Sequence, residues 1–309
     1  MTRRGEMMFI VKFRGGIGNQ MYQYAFMRNL QIMYPNTEVY SDVTDYRRES
    51  MHNGFELQKV FGIELNKAED DDIERISGRI PRKTKFRNAI YKVKRRIKNL
   101  MLNSSAKNNE VNLIYTEEQP LEYIEKVLRG VNGEQDTYFD GFWQYPECFA
   151  RADGYLKNEF VFRYDENEQV NYFLHEIERM DIQSVSLHVR RGDYVGSRFE
   201  CVDLDYYKSA IKIIEDRLNN PCFFIFSDDM NYVEKNFAYL PHKFFVNCNR
   251  GINSYMDMML MSKCKHNIVT NSTFSYWGAH LNCNEDKIVI APKKDIGARC
   301  LIDCDWISL

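Results

Sequence analysis

No stretch of the 309-residue sequence approaches the ~20 consecutive apolar residues of a membrane-spanning helix. The first apolar run, MMFIV, follows basic residues, but it is too short for a signal peptide and leads directly into glycines. The sequence also has no large excess of positive or negative charge. The net charge of −2 excludes a globally basic nucleic-acid-binding protein. We therefore expect a globular cytoplasmic protein that does not bind nucleic acid.

Metal-binding cysteine patterns are absent as well. The eight cysteines are scattered without a CxxC pair, and no His-x-x-x-His accompanies Cys300 and Cys304. We interpret them as buried free thiols in a reducing compartment rather than as zinc ligands or disulfides. Two Asp-x-Asp sequences, at 203–205 and 303–305, occur in a chain in which this pattern arises easily by chance. Asp203 and Asp205 fit the start of a helix better than a metal site.

Alternating strands and helices predict two α/β units. The apolar segment 9–13 precedes a glycine turn, a helix at 19–34 and a second strand, which is the start of an α/β layer. A charged break, DENEQ, precedes a second series of strands and helices typical of a doubly wound sheet. The predicted domains are residues 1–165 and 166–309.

The first domain contains a strongly basic segment. Residues 75–107 hold twelve Lys or Arg and no acidic residue. Apolar residues recur at helical spacing from Phe86 to Leu100, so the segment predicts a basic amphipathic helix. Such a helix can lie on an anionic membrane surface, or it can be a solvated helix packed on its own domain. Both interpretations stay open.

The stretch HVRRGDY follows an apolar strand predicted at 183–190. Because side chains alternate along a strand, His188 and Arg190 project together at its carboxyl end, where open α/β sheets bind ligands. Arg191 follows at the strand exit. Two arginines beside a histidine favour an anion such as a diphosphate. The alternative is an arginine pair with Asp193 that stiffens the loop.

Two further stretches end strands of the same predicted sheet. Asn271, Ser272 and Thr273 lie where a strand ends and a helix begins, which predicts either a helix cap or a phosphate site. Asp228 follows the apolar strand CFFIF, where a carboxylate could accept from a base or a ribose. The alternative is that this Ser-Asp-Asp stretch, residues 227–229, caps the next helix instead of binding a ligand.

The N-terminal glycine turn, GGIGNQM, departs from the dinucleotide fingerprint. Gly16 and Gly18 fit its start, but Met21 occupies the position where glycine or alanine permits close helix packing. We therefore expect neither NAD nor FAD here. The amides of Asn19 and Gln20 would instead hydrogen-bond hydroxyl groups.

Together these stretches resemble the α-1,2-fucosyltransferases of glycosyltransferase family 11. The blocks GGIGNQMYQYAF, DGFWQYPECF, HVRRGDY, FFIFSDDM and NSTFSYWGAHL occur in the family's order and extend from residue 11 to about residue 282. The resemblance implies an α/β fold of GT-B type, with two facing Rossmann-like domains. It places GDP-fucose in the C-terminal domain and the acceptor sugar between the domains.

The resemblance also implies a role for each residue of these blocks. Arg190 would hold the β-phosphate, His188 would lie against the guanosine, and Asp228 would bind the guanine. The donor-binding set is completed by the glycine turn and the helix start: Gly16, Gly18, Asn271, Ser272, Thr273 and Phe274. The catalytic candidates are Asn19, Arg190, Arg191 and Asp193, although loop structure explains Asp193 equally well.

The implied reaction is an inverting, metal-independent transfer of fucose from GDP-fucose to the 2-hydroxyl of a terminal galactose in a surface polysaccharide. GDP-fucose is then a substrate, a galactose-terminated oligosaccharide is the acceptor, and no cofactor is needed. The basic segment 75–107 would attach the enzyme to the inner face of the membrane. Two other classes remain open: a non-catalytic GT-B-like module that binds glycans or nucleotide sugars, and a nicotinamide or methyl-donor enzyme.

Overall fold

The computed structural model describes residues 7–47, 52–79, 113–115, 119–165, 167–197, 201–293 and 301–309. The chain divides into two compact units. Unit 1 consists of Met1–Gln58, Ile63–Trp143 and Cys148–Gly154, and unit 2 of Lys59–Gly62, Gln144–Glu147 and Tyr155–Leu309. This division and the predicted boundary at residues 165 and 166 both separate the fourth strand of the chain from the fifth.

Unit 1 contains a four-stranded parallel sheet with the strand order β2-β1-β4-β3. Its strands are β1 (Met8–Lys12), β2 (Glu38–Asp42), β3 (Leu113–Tyr115) and β4 (Thr137–Asp140). Among the described residues, the helices that begin in this unit are α1 (Ile17–Met33), α2 (Leu57–Phe61), α3 (Asp70–Ser77), α4 (Leu121–Arg129) and α5 (Asp153–Glu159). The predicted order of first strand, glycine turn, helix and second strand is confirmed.

Aromatic side chains fill the core between α1 and the sheet of unit 1. Phe26 of α1 stacks on Trp143 with ring centroids 3.9 Å apart. The same phenylalanine meets Phe139 of β4 edge-on at 5.4 Å, and Phe139 meets Phe9 of β1 at 5.3 Å. Each of these rings buries a large apolar area, so the cluster fixes α1 across β1 and β4.

Unit 2 contains a six-stranded parallel sheet with the order β10-β9-β8-β5-β6-β7. Its strands are β5 (Gln183–Val189), β6 (Pro221–Ser227), β7 (Lys243–Val246), β8 (His266–Ile268), β9 (Val289–Ala291) and β10 (Ile307–Ser308). The helices are α6 (Glu168–Ile177), α7 (Leu204–Arg217), α8 (Met230–Phe237), α9 (Tyr255–Lys263) and α10 (Thr273–His280). The α/β class predicted from the sequence is confirmed in both units.

In both sheets the chain adds strands first on one side of an interior strand and then on the other. In unit 2 the chain runs from β5 to β6 and β7 on one side, and then returns to place β8 on the other side of β5. In unit 1, β2 lies on one side of β1, and β4 and β3 lie on the other. In unit 2 the connections leave β5 and β8 in opposite directions, which opens a crevice at their carboxyl ends, where ligands bind.

A buried polar network fixes β8 against β5. The Asn267 Nδ2 group donates to the Ser186 hydroxyl at 2.7 Å and to the Met261 carbonyl at 2.9 Å. Its Oδ1 atom accepts from Asn282 Nδ2 at 2.8 Å. Buried polar groups that satisfy one another specify a single packing arrangement. The network therefore sets the position of the loop that leads from β8 into α10.

The basic segment 75–107 lies outside the described residues from residue 80 onward, so its amphipathic helix stays a prediction. In the part that is described, Arg75 pairs with Asp72 at 3.0 Å and with Asp136, and Arg79 pairs with Asp140. Across the described ranges, no helix combines the length and the apolar character needed to cross a bilayer.

Replacing Gly278 by alanine should destabilise the protein, because a Cβ atom there would lie 2.8 Å from the Met261 Cβ atom, where α10 packs on α9. We expect Gly278→Ala to lower the free energy of unfolding by about 1–3 kcal/mol. The matched control is Gly154→Ala in α5, where a Cβ atom would meet nothing within 4 Å. That change should raise the stability by up to about 1 kcal/mol. Urea unfolding of both variants tests the difference, and equal stabilities would contradict it.

Candidate functional site

The carboxyl edge of the unit 2 sheet gathers most of the predicted site residues. β5 lies between β6 and β8, so the segments that follow these three strands emerge side by side. Arg190 follows β5, Asp228 follows β6, and Ser272 precedes α10 after β8. The sequence placed these residues on separate stretches of one sheet, and the strand order brings them to one crevice.

Arg190 is held by carboxylates on both sides. Its Nη2 atom lies 2.7 Å from the Asp193 Oδ1 atom, and its Nη1 atom lies 3.1 Å from the Asp228 Oδ2 atom. The guanidinium group also lies 5.6 Å from the centre of the Tyr194 ring. The Arg190–Asp193 pair considered from the sequence is therefore present. The side chain keeps 30% exposure, so one face of the guanidinium group remains accessible.

Arg191 is held by different groups from Arg190, although the two are adjacent in the sequence. Its guanidinium carbon lies 3.8 Å from the centre of the Tyr232 ring, and its Nε atom lies 3.2 Å from the Asp229 Oδ2 atom. Asp229 in turn accepts the Tyr232 N–H at 3.1 Å and caps α8. The Arg191 side chain is thereby anchored to the start of α8, whereas Arg190 pairs with Asp193 and Asp228.

Asp228 organises the loop that leaves β5. Its Oδ1 atom accepts the backbone N–H of Arg191 at 2.9 Å, and its Oδ2 atom pairs with the Arg190 guanidinium group. A Cβ atom at Gly192 would lie only 2.7 Å from the Asp228 Oδ2 atom, so the glycine permits this close approach. The capping role that the sequence left open for this stretch belongs to Asp229.

His188 is buried beside these charges. The residue is 5% exposed, and its Nδ1 atom has no hydrogen-bond partner among the described residues. Its ring centre lies 5.9 Å from that of Phe274 at the start of α10. Burial holds the pKa of His188 well below its ordinary value of 6.5, and the positive charge of Arg190 lowers it further, against the opposing charge of Asp228. The imidazole is therefore neutral near pH 7.

The start of α10 combines a helix cap with an exposed crevice. The Ser272 hydroxyl accepts the Phe274 N–H at 3.3 Å, which confirms the capping role considered from the sequence. The Tyr194 hydroxyl donates to the Asn271 carbonyl at 3.3 Å and so ties the β5 exit loop to this turn. Thr273 is the first helical residue, where the partial positive charge of the helix end is concentrated.

The glycine turn of unit 1 has a more structural role than the sequence indicates. A Cβ atom at Gly15, which has φ +82°, would lie 2.5 Å from the Asn19 Nδ2 atom, so this amide lies directly against the turn. The Gln20 Nε2 group donates to the carbonyls of Gly15 at 3.0 Å and Gly54 at 2.8 Å. Its Oε1 atom accepts the Glu56 N–H at 2.8 Å. The expectation that Gln20 binds ligand hydroxyls is wrong, because its buried amide is engaged by backbone groups.

Several residues beside this turn were not predicted. Arg14 follows β1 and lies 3.1 Å from the fully buried Asp140 at the end of β4. The Tyr46 hydroxyl donates to the Gly15 carbonyl at 2.8 Å, and burial raises the pKa of Tyr46 well above 10. The His52 ring lies against Gly16, at the start of α1. No local pattern marks these residues, since each contact joins segments far apart in the sequence.

The two Asp-x-Asp sequences have structural partners. Asp203 caps α7 by accepting the Tyr206 N–H at 2.8 Å, as expected for a helix start. Asp303 accepts from the Tyr276 hydroxyl at 2.6 Å and lies 2.7 Å from the His280 Nδ1 atom. Within the described part of the chain, no three His, Cys, Asp or Glu side chains are grouped as metal ligands. Metal independence stays a prediction.

The chain matches a family model and several known proteins. The model described as "Glycosyl transferase family 11" matches residues 80–300. An alpha-1,2-colitosyltransferase of Escherichia coli is 30% identical over 298 residues, 92% of this chain and 90% of that protein. An Escherichia coli O-antigen biosynthesis glycosyltransferase, WbnK, is 48% identical over 116 residues, 36% of this chain and 38% of its own length.

More distant relatives extend the similarity. The galactoside 2-alpha-L-fucosyltransferase Sec1 of Mus musculus is 25% identical over 303 residues, 91% of this chain and 66% of that protein. Among solved structures, a variant of Arabidopsis thaliana FUT1 in complex with GDP has a TM-score of 0.52 at 11% identity, over 94% of this chain and 72% of that chain. At this identity the likeness concerns the fold alone, and the predicted GT-B type of α/β fold is confirmed.

The depressed pKa of His188 predicts a pH dependence of stability. Below pH ~6.5 the unfolded chain binds a proton at this position that the folded chain does not, so stability falls as the pH falls. Between pH ~6.5 and ~4.5 the wild type should lose up to ~1.4 kcal/mol per pH unit relative to His188→Asn. Urea unfolding across this range measures the difference, and parallel stability curves for the two proteins would contradict the assignment.

Proposed function

Because this chain belongs to glycosyl transferase family 11, we propose that it is an inverting α-1,2-fucosyltransferase. It transfers fucose from GDP-fucose to the 2-hydroxyl of a terminal galactose. The observation that carries the proposal is the crevice of unit 2, where Arg190, neutral His188 and the start of α10 meet at the end of β5. The galactoside 2-fucosyltransferase activity named for the mouse relative supports the same choice.

The donor diphosphate binds at this crevice. The accessible face of the Arg190 guanidinium group holds the β-phosphate, and Asn271, Ser272, Thr273 and Phe274 supply the helix start on the other side. His188 lies against the guanosine, where its unpartnered Nδ1 atom offers a hydrogen bond. Asp228 binds the guanine, which requires that it exchange one of its arginine contacts for the base.

The chemistry follows from the charge that develops on the leaving group. The fucose of GDP-fucose is β-linked and the product is α-linked, so one in-line displacement inverts the anomeric carbon. Negative charge builds on the departing GDP while the sugar becomes oxocarbenium-like. Arg190 stabilises that charge together with the α10 start, and Arg191 adds a second positive charge. Asp193 orients the Arg190 guanidinium group through their ion pair. Asn19 is the proposed contact of the incoming hydroxyl, and no metal is required.

Transfer of colitose is the second candidate function. The Escherichia coli relative that is similar over 92% of this chain is named an alpha-1,2-colitosyltransferase. Colitose is fucose without the 3-hydroxyl group, so the two donors share the diphosphate and the anomeric chemistry. They differ in a single hydroxyl that the protein either hydrogen-bonds or does not. Comparing kcat/KM for the two GDP-sugars decides between them.

The acceptor belongs to a bacterial surface polysaccharide in this proposal. The O-antigen biosynthesis role named for WbnK supports such an acceptor. Glycan assembly on lipid-linked intermediates occurs at the inner face of the membrane, so we propose a cytoplasmic enzyme. The basic segment 75–107 then holds it against anionic lipids.

The first test incubates the purified protein with GDP-fucose and a panel of galactose-terminated oligosaccharides. We expect GDP release that depends on the acceptor and an α-1,2-linked product, identified by NMR of the anomeric proton and its coupling. Activity should be unchanged in millimolar EDTA, since protein groups supply the positive charge. Loss of activity with EDTA, restored by a divalent cation, would contradict metal independence. GDP-fucose binding without any turnover would favour the non-catalytic alternative.

Arg190 and Arg191 should contribute unequally to the reaction. Removing the Arg190 side chain with Arg190→Ala should lower kcat by ~10²–10³, the loss typical of one donor to a developing anion. Arg191→Ala should have a smaller effect, because this side chain is anchored to Asp229 and Tyr232. Steady-state kinetics and GDP binding of both variants measure the difference. Equal losses in the two variants would contradict this division of roles.

A further inference from the structure

We propose that Tyr194 positions the two groups that bind the donor diphosphate in unit 2, the Arg190 guanidinium group and the start of α10. The inference rests on the proposed transferase function and adds a residue that the predicted site does not contain. Tyr194 contacts Arg190 with its ring and the turn before α10 with its hydroxyl group. Because it acts through these groups rather than on the substrate, it is a positioning residue.

The main chain at Tyr194 is held on both sides. Tyr194 ends a single 3₁₀ turn, Gly192–Tyr194, which follows the exit of β5. Its N–H donates to the Arg191 carbonyl at 2.9 Å, and its carbonyl accepts from the Ser197 N–H at 3.1 Å and from the Ser197 hydroxyl at 3.0 Å. The residue is 8% exposed. The buried ring therefore projects from a fixed backbone position.

The Tyr194 ring contacts the Arg190 guanidinium group. The guanidinium carbon lies 5.6 Å from the ring centre, within the ~6 Å over which an aromatic face attracts a cation. Asp193, from the same turn, pairs with the Arg190 Nη2 atom at 2.7 Å. The turn thus holds Arg190 in two ways, by a charged carboxylate and by an uncharged ring.

These two contacts respond differently to an arriving anion. A diphosphate offers acceptor oxygens that compete with Asp193 and Asp228 for the N–H groups of Arg190. The Tyr194 ring is uncharged, so the diphosphate has no need to displace it. Fixing a free arginine side chain costs rotamer entropy. The ring therefore keeps the guanidinium group in place while its N–H groups change partners.

The Tyr194 hydroxyl group reaches the segment that follows β8. It donates to the Asn271 carbonyl at 3.3 Å, although the two residues are 77 positions apart in the chain. Asn271 directly precedes Ser272, which caps α10. One side chain therefore connects the arginine that follows β5 with the helix start that follows β8.

This connection fixes the separation of two positive groups. One is the charge of Arg190, and the other is the partial positive charge at the start of α10. Donors that already stand at the right separation need no rearrangement when negative charge develops on a leaving group, and they stabilise it more than mobile donors do. We therefore expect Tyr194 to affect donor binding through the helix start and the reaction rate through Arg190.

Tyr255 makes the same pair of contacts elsewhere in unit 2. Its hydroxyl group donates to the Arg163 carbonyl at 2.9 Å, and the Lys59 Nζ atom lies 5.3 Å from its ring centre. Tyr255 is 3% exposed, and all three residues belong to unit 2. Neither contact involves Arg190 or the start of α10. Substitutions of Tyr255 therefore reproduce the loss of packing without the loss of positioning.

The test removes the two contacts of Tyr194 one at a time. Tyr194→Phe removes the hydroxyl group and keeps the ring, whereas Tyr194→Leu removes both. Tyr255→Phe and Tyr255→Leu are the matched controls. Each substitution is made in wild type and in Arg190→Ala. The measurements are kcat with GDP-fucose and a galactose-terminated oligosaccharide, the Kd of GDP, and thermal unfolding.

We expect Tyr194→Phe to raise the Kd of GDP by ~2–10-fold, as for the loss of one hydrogen bond, and to keep kcat within about threefold of wild type. Tyr194→Leu should lower kcat by a further ~5–30-fold through Arg190. In Arg190→Ala, Tyr194→Leu should lower kcat no more than Tyr194→Phe does, because the ring then has no guanidinium group to hold. The Tyr255 variants should match wild type in kcat and in the Kd of GDP.

Equal kcat losses from Tyr194→Leu in wild type and in Arg190→Ala would overturn the role of the ring, since general damage to the fold adds to the loss of Arg190. An unchanged Kd of GDP in Tyr194→Phe would overturn the role of the hydroxyl group, and this variant decides the inference if Tyr194→Leu does not fold. Equal losses in the Tyr255 variants would assign the effects to packing and overturn both roles. A wild type that transfers no sugar would refute the proposed function, whereas active wild type with fully active Tyr194 variants refutes only the role of Tyr194.

Discussion

Parallel pairing of β5 between β6 and β8 is the constraint on which the site in unit 2 depends. The chain enters this sheet at an interior strand, so later strands must be added first on one side and then on the other. Where the side changes, the connections from β5 and β8 lead to opposite sides of the sheet, towards β6 and β9. The groups that follow those strands, Arg190 and the start of α10, therefore face an uncovered crevice. In unit 1, β1 and β4 are neighbours, which places Arg14 at the end of β1 beside Asp140 at the end of β4.

The two faces of β5 have different chemistry, and both contribute to the site. Val185, Leu187 and Val189 pack into the apolar core on one face. The other face carries Ser186, whose hydroxyl accepts from Asn267, and His188, which is buried at the crevice. Leaving a buried polar group without a partner is destabilising, so Asn267 of β8 and Ser186 of β5 stabilise one another by their hydrogen bond. This hydrogen bond aligns the two strands whose ends form the crevice.

The sequence predicts the parts of this protein that are determined locally. The apolar alternation of β5 and β6 and the Ser272 cap of α10 are properties of short segments, and their positions were predicted to within a few residues. Gln20 was misjudged, since its partners at Gly54 and Glu56 lie 34 and 36 positions away in the chain. The separation of Arg190 from Arg191 likewise depends on acidic groups that β6 brings close, some 38 positions later. Side-chain partners across a sheet edge follow from strand order, which local patterns do not specify.

The carboxylates around the two arginines leave the crevice without excess positive charge. Among the described residues there, Arg190 and Arg191 are balanced by Asp193, Asp228 and Asp229. A site of this kind exerts little long-range attraction on a dianion. Electrostatic steering should therefore not accelerate association, and the association rate constant should depend only weakly on ionic strength. An anion that binds Arg190 must compete with the two carboxylates that already pair with its guanidinium group. With two guanidinium groups against three carboxylates, the resting site carries a small net negative charge, so a bound anion must gain its binding free energy from contacts made at short range.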